Sequence, residues 1–191
     1  MRVHQEDLCQ ALGVPPERKY QSDGGPSAAD IARLLRDVVR PVAAATTALE
    51  SLLDALAWNW IVGGTDAHAK NYSLLLSGDQ VRLAPLYDIA SALPYPGVDE
   101  LKLRTAMKLG GEYRLKAHNA RTWAKVASEL GLDVDRAQNR VAHLAAVAPD
   151  AISDAVAAEE IGRLRSPLPR RLAASVAARA ERCARLLPAP A

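Results

Sequence analysis

The sequence contains no phenylalanine, and aromatic residues make up only 4% of it. A β-sandwich core draws on aromatic and β-branched residues, whereas this chain is rich in alanine, the strongest helix former. That absence points to a helical core with small contact faces. Cysteine is scarce as well. Cys9 and Cys183 stand far apart and match no metal-binding spacing, which implies two reduced thiols in a cytoplasmic protein. No apolar run approaches the roughly twenty residues of a membrane span, so no membrane partner is expected. Met1–Val14 carries charges and lacks the apolar stretch of a signal peptide. Charge of one sign is lacking too. A formal net charge of +2 is too small to argue for nucleic acid as a bulk partner.

What is present is mostly helical periodicity. Residues 1–26 are polar and punctuated by Pro15-Pro16 and Asp23-Gly24-Gly25-Pro26, so they read as a loop with a short helix over 5–12. Ser27 stands as an N-cap with Asp30 three residues on. Ile31, Leu34, Leu35, Val38 and Val39 follow at helical spacing until Pro41. A second pattern over 47–62, through Leu49, Leu52, Leu53, Leu56, Trp60 and Ile61, is apolar nearly all round and predicts a buried central helix. It stops at Gly63-Gly64. Residues 72–76 and 81–85, separated by Ser77-Gly78-Asp79-Gln80, predict a β-hairpin. Beyond Pro94 and Pro96, helices are predicted over 118–130, 134–147, 150–161 and 170–187. The arginines from Arg163 to Arg185, Arg179 included, read as a solvated face. The fold class is therefore mainly α (α+β), with one central hairpin.

The chemistry is concentrated between Gly63 and Asp88. Asp66, His68, Lys70 and Asn71 follow directly on a buried helix, where a loop is held by rigid structure. A hairpin over 72–88 returns Tyr87 and Asp88 close to Asn71, so Asp66, Asn71 and Asp88 should converge. Such a set suits phosphoryl transfer, which needs an aligned nucleophile and metal ions on the phosphates. An Asp can orient and deprotonate a hydroxyl, while an Asn oxygen and a second carboxylate are hard ligands for Mg²⁺. Asp66 and Asn71 also have the five-residue separation of a protein-kinase catalytic loop. Taken singly, each residue has a plain structural reading: Asp66 as a turn residue, Asn71 as a strand start, Asp88 as a cap. The Asp-x-His of Asp66 and His68 could also open a metallophosphoesterase motif. The later histidines His118 and His143 are isolated, which does not supply that motif's ligands.

Three stretches resemble the HipA family of bacterial toxin kinases: His4–Gln10 with Pro15–Tyr20, Asn59–Ser73, and Leu83–Ile89. The resemblance is dense over the first 95 residues and thinner beyond, where Met107–Glu112 and the segment around Trp123 still look similar. It implies that residues 1–191 form a HipA-like C-terminal domain, the helical C-lobe of a kinase. A loop-rich opening (1–26), a catalytic loop (63–71), a hairpin ending on a metal-binding Asp (72–88) and a helical bundle (118–187) would follow in order. By the same resemblance Asp66 would be the catalytic base and Asn71 and Asp88 the Mg²⁺ ligands. His68, Ala69, Lys70, Asn71, Tyr87 and Asp88 would line the ATP site. The family's substrates are serine or threonine residues of cytosolic proteins, aminoacyl-tRNA synthetases among them. Its partner is a helix-turn-helix antitoxin, so DNA would be met only indirectly. A complete member also has a phosphate-binding loop and a nucleotide-gripping lysine on a strand, and neither pattern occurs here. An N-lobe is thus expected to be absent, through truncation, a misassigned start or a separate chain that supplies it. The alternative is a non-catalytic remnant that binds an antitoxin or a kinase partner.

Overall fold

The computed structural model describes residues 3–188. Its first element departs from the sequence expectation: His4–Asp7 form a strand (β1), and only Leu8–Ala11 are helical (α1). Asp7 ends the strand and caps the helix, accepting from the Gln10 amide while the Gln10 side chain accepts from Asp7.

Helix α2 (Ala28–Val38) starts where Ser27 predicts it. The Ser27 hydroxyl accepts from the Asp30 amide at 3.2 Å, and the Asp30 carboxylate accepts from the Ser27 amide at 3.0 Å. Helix α2 closes just before Pro41, as expected, and α3 (Val42–Val62) begins five residues before the expected 47, with Pro41 at its N-cap. It is the central rod. Leu52, Leu53, Ala55, Ala57, Trp60 and Ile61 are all but fully buried. Trp60 tilts against Trp123 with ring centroids 5.4 Å apart and donates to the Leu115 carbonyl at 3.1 Å.

The expected hairpin is β2 (Ser73–Ser77) and β3 (Gln80–Leu83). It belongs to a three-stranded antiparallel sheet in the order β1-β2-β3, with His4 opposite Leu76 and Leu76 opposite Val81. A second hairpin, β4 (Arg104–Leu109) and β5 (Glu112–Arg114), was not expected from the sequence. There Thr105, Met107 and Leu109 point into the molecule between exposed Arg104 and Lys108, and Gly110-Gly111 turn with positive φ.

Helix α4 (Ala120–Leu130) is capped by Asn119. Helix α5 (Val134–Ala157) runs straight through Pro149, so the two expected helices are one, followed by the short α6 (Glu159–Gly162). Helix α7 (Leu168–Ala184) packs back on α5 and α3. Arg179 corrects the reading of its arginines as a solvated face. It is 5% exposed, donates to the Trp60 carbonyl at 2.9 Å and pairs with Glu100. A cation at this carbonyl adds a strong donor to an acceptor at the end of α3 that otherwise has only the Gly63 amide, at 3.4 Å.

Candidate active site

The loop after α3 is made by two glycines with different duties. Gly63 adopts φ +69°, the left-handed conformation that ends a helix. Gly64 is required for space: a Cβ there would lie 2.3 Å from the Asn59 amide oxygen. The chain then turns sharply, the His68 amide donating to the Asp66 carbonyl at 2.8 Å and the Asn71 amide to the His68 carbonyl at 2.9 Å.

Asn71 is buried and its side-chain nitrogen donates to the Asp66 carbonyl at 2.9 Å. That bond assigns the amide: the nitrogen is used and the oxygen is the atom left for a ligand. The Asp66 side chain is 55% exposed. One of its carboxylate oxygens accepts from the Tyr20 hydroxyl, and the phenol's pKa is pushed up to about 12 by that bond, with burial adding to it. Tyr20 thus remains a donor across the physiological range. Its ring also meets His68 edge-on, with centroids 5.0 Å apart.

His68 is buried and lies 4.0 Å from Asp66, too far for a hydrogen bond. Burial lowers its pKa and the Lys19 charge lowers it further, against opposing pulls from Asp66 and Asp88. Burial thus disfavours the protonated imidazole, and its Nδ1 has no partner among the described residues.

The return of Asp88 follows the hairpin. The Tyr87 hydroxyl donates to the Lys70 carbonyl at 2.6 Å and shares a hydrogen bond of 2.5 Å with Ser73, which ties the residue before Asp88 to those flanking Asn71. Beyond it, the Ser91 hydroxyl donates to the Val62 carbonyl at 2.6 Å and the Ala92 amide to the Gly63 carbonyl. Asp88 itself has φ +54° and an exposed side chain. This conformation is uncommon outside glycine, though Asp tolerates it better than most residues. Asp66, Asn71 and Asp88 are thereby hung on one end of α3 and one end of the hairpin.

Two residues of the predicted ATP-site set have other engagements. The Lys70 amine is bound to Asp7 at 2.8 Å, so it braces β1 against the loop, and the Tyr87 hydroxyl is spent on the loop itself. Ala69 is buried, its amide donating to the Lys19 carbonyl. Tyr20 and Lys19 are the neighbours that sequence reasoning assigned no role. The signal was weak, because Tyr20 lies 46 residues from its partner in a proline-flanked loop.

The donor set fits Mg²⁺. It offers the free oxygen of Asn71 and the exposed carboxylate of Asp88, both hard oxygen ligands. No cage of three His, Cys, Asp or Glu side chains forms among the described residues. A site with one or two protein oxygens, completed by water and phosphate, is the usual Mg²⁺ arrangement in phosphoryl-transfer enzymes.

Comparison with known proteins bears on the fold and the family. The protein Y4mE of Sinorhizobium fredii, whose name carries the word kinase, is 43% identical over 157 residues, covering 82% of this chain and 35% of that protein. The serine/threonine-protein kinase toxin HipA of Shewanella oneidensis is 26% identical over 168 residues, covering 82% of this chain and 37% of its own length. The chain thus spans little more than a third of the relatives it matches. The solved complex of Shewanella oneidensis HipA with HipB and operator DNA shares the fold at TM-score 0.78 and 24% identity, over 95% of this chain and 44% of the other. No helix among the described residues is long and apolar enough to cross a membrane. The model of the HipA-like C-terminal domain matches residues 1–152, so by fold and sequence the chain belongs to that HipA-related kinase family.

Proposed function

We propose that this chain is the catalytic-loop half of a HipA-like serine/threonine kinase, acting on a cytosolic protein with ATP and Mg²⁺ within a toxin–antitoxin pair. The observation that carries the reading is the convergence of the Asp66 loop, Asn71 and the Tyr87–Asp88 return on one end of α3. Asp66, exposed and fixed by Tyr20, accepts the proton of the substrate hydroxyl as that oxygen attacks. Asn71 and Asp88 would hold Mg²⁺, whose chemistry is to neutralise the phosphate oxygens. His68 and Ala69, both buried beside the loop, would line the phosphates. A helix-turn-helix antitoxin is the expected partner, and an aminoacyl-tRNA synthetase the expected class of target.

Because the relatives are more than twice as long, the grip on the nucleotide is assigned to the part of them that this chain does not match. Positioning accounts for much of the rate in such reactions, so the chain by itself should transfer phosphate poorly. The test incubates the chain with labelled ATP, Mg²⁺ and a cell lysate, alone and joined to the remaining portion of a relative such as Y4mE. Transfer that depends on Asp66 in the joined form is expected. No transfer in either form would overturn the reading and leave a non-catalytic remnant that binds an antitoxin or a separate kinase chain.

A further inference from the structure

Residues 101–125 hold seven Lys and Arg against a single acid, Glu112, although the formal net charge of the whole chain is only +2. Residues 163–185 carry an equal excess, seven Arg against Glu181 alone; the hairpin stretch differs in reaching the loop that carries Tyr20, through the Lys108 amide and Gln21. Even Glu112 is largely committed, since its carboxylate accepts from the Tyr113 and Arg114 amides at 2.8 and 2.9 Å.

All seven cations are exposed, and Lys102 is paired with Asp99 at 3.5 Å. Arg104, Lys108, Arg114 and Lys116 enter no ion pair among the described residues. Arg104 and Arg114 are direct cross-strand partners. Like charges in that relation destabilise a hairpin, so the arrangement lowers stability unless an anion from elsewhere meets it.

The patch leads to the candidate active site. The Lys108 amide donates to the Gln21 side chain at 2.7 Å, and the neighbouring Tyr20 donates to Asp66. Lys19 continues the positive charge on that side, with its amine 5.1 Å from the Tyr20 ring centroid.

We propose that the β4–β5 hairpin and Lys19 form a docking strip for an acidic segment of the protein whose hydroxyl is presented to Asp66. This deepens, and rests on, the kinase reading above. A polypeptide fits better than a nucleic acid because the hairpin's aromatic ring is already engaged. Arg104 and Lys108 stand over the Tyr113 ring at 4.9 and 5.4 Å, whereas single-stranded nucleic acid is usually held by bases stacked on open rings.

The test titrates the chain, without ATP, against a fluorescent Glu-rich peptide, a Gln-substituted copy, and single-stranded RNA of equal charge. The Glu peptide is expected to bind, and to weaken about tenfold or more as salt rises from about 0.05 to about 0.3 M. Reversal of Arg104, Lys108 and Arg114 to Glu should weaken it at least about tenfold, while reversal of Arg170 and Arg171 on α7 should not. If the triple variant melts early, the single Lys108→Glu change takes its place with a smaller loss expected. Because the titration is run without ATP, docking and kinase chemistry can fail separately. Three outcomes would overturn the proposal: tighter binding of the RNA, equal binding of the Gln peptide, or equal damage from the α7 reversals.

Discussion

The two hairpins have the same topology and opposite surfaces. In β2–β3 the strands carry Leu74, Leu75, Leu76, Val81 and Leu83, and the pair is fastened to β1 and to α3. In β4–β5 the inward face is apolar, but the outward residues are Arg104, Lys108 and Arg114, the pairing is irregular, and Arg faces Arg. Rigid packing suits the first to hold reacting groups in place. Unspent charge suits the second to meet a partner. If this division is right, changes near the first hairpin should alter chemistry, and changes around the second should alter stability and responses to pH and salt.

The largest expected effect is chemical. In a form with the remaining portion supplied, Asp66→Asn should lower phosphoryl transfer by about 10²–10⁴-fold while sparing nucleotide binding. Asp88→Asn should weaken binding of Mg²⁺–ATP as well, because a ligand charge is lost. Calorimetric titration separates the two, and equal nucleotide affinity in both variants would remove Asp88 from the metal site.

Next comes a pH effect near the second hairpin. His118 is fully buried, neither ring nitrogen has a protein partner, and burial lowers its pKa to about 4. Since this folded value is below the unfolded one near 6.5, only the unfolded chain takes up the proton between them. The contribution is whole above about pH 6.5 and is lost as pH falls towards 4, amounting to about 3 kcal/mol. Denaturant midpoints from pH 7 to 4 should fall more steeply for the parent than for His118→Leu, and equal slopes would refute this.

A smaller loss is expected for Arg179→Ala. It leaves the Trp60 carbonyl with only the long Gly63 amide contact, while Glu100 keeps Arg182. We expect about 2–3 kcal/mol in urea unfolding, and a change below about 0.5 kcal/mol would restore the reading of α7 as a solvated face. The smallest is Gly78→Ala at the tip of the first hairpin. It has φ +58° but open space around it, so only backbone strain of about 1 kcal/mol should appear. Transfer activity should stay at the parent level.

The contrast between the hairpins also explains what could be read from sequence. Ser27 with Asp30, the apolar rod of α3 and the leucine-rich β2 each carry their own local signal, and each was legible, although α3 begins earlier than expected. Asp66, Asn71 and Asp88 stand out as a candidate set because they sit at the ends of these strong elements. β1 was not, because His4–Asp7 are polar and become a strand only by pairing with β2. β4 had a usable signal in the alternation of Thr105, Met107 and Leu109 before Gly110-Gly111, which the intervening cations and Ala106 obscured. The expected helices 134–147 and 150–161 are one, because the packing of α5 on α7 and α4 carries it through Pro149. Arg179 and Tyr20 depend on contacts made across long stretches of chain, which no local window contains.

Those distant contacts bear on the order in which the molecule assembles. The strand that follows Asn71 pairs with residues 4–7, so His4 must meet Leu76 across most of the first half of the chain. Helices close on local contacts, while pairings this remote must first overcome the loss of chain freedom and form slowly. We predict that the amides of α3 and α4 become protected before those of β1 and β2 in pulsed hydrogen exchange during refolding. On that schedule the helical rod is in place first, and Asp66 acquires its Tyr20 partner among the last events of folding.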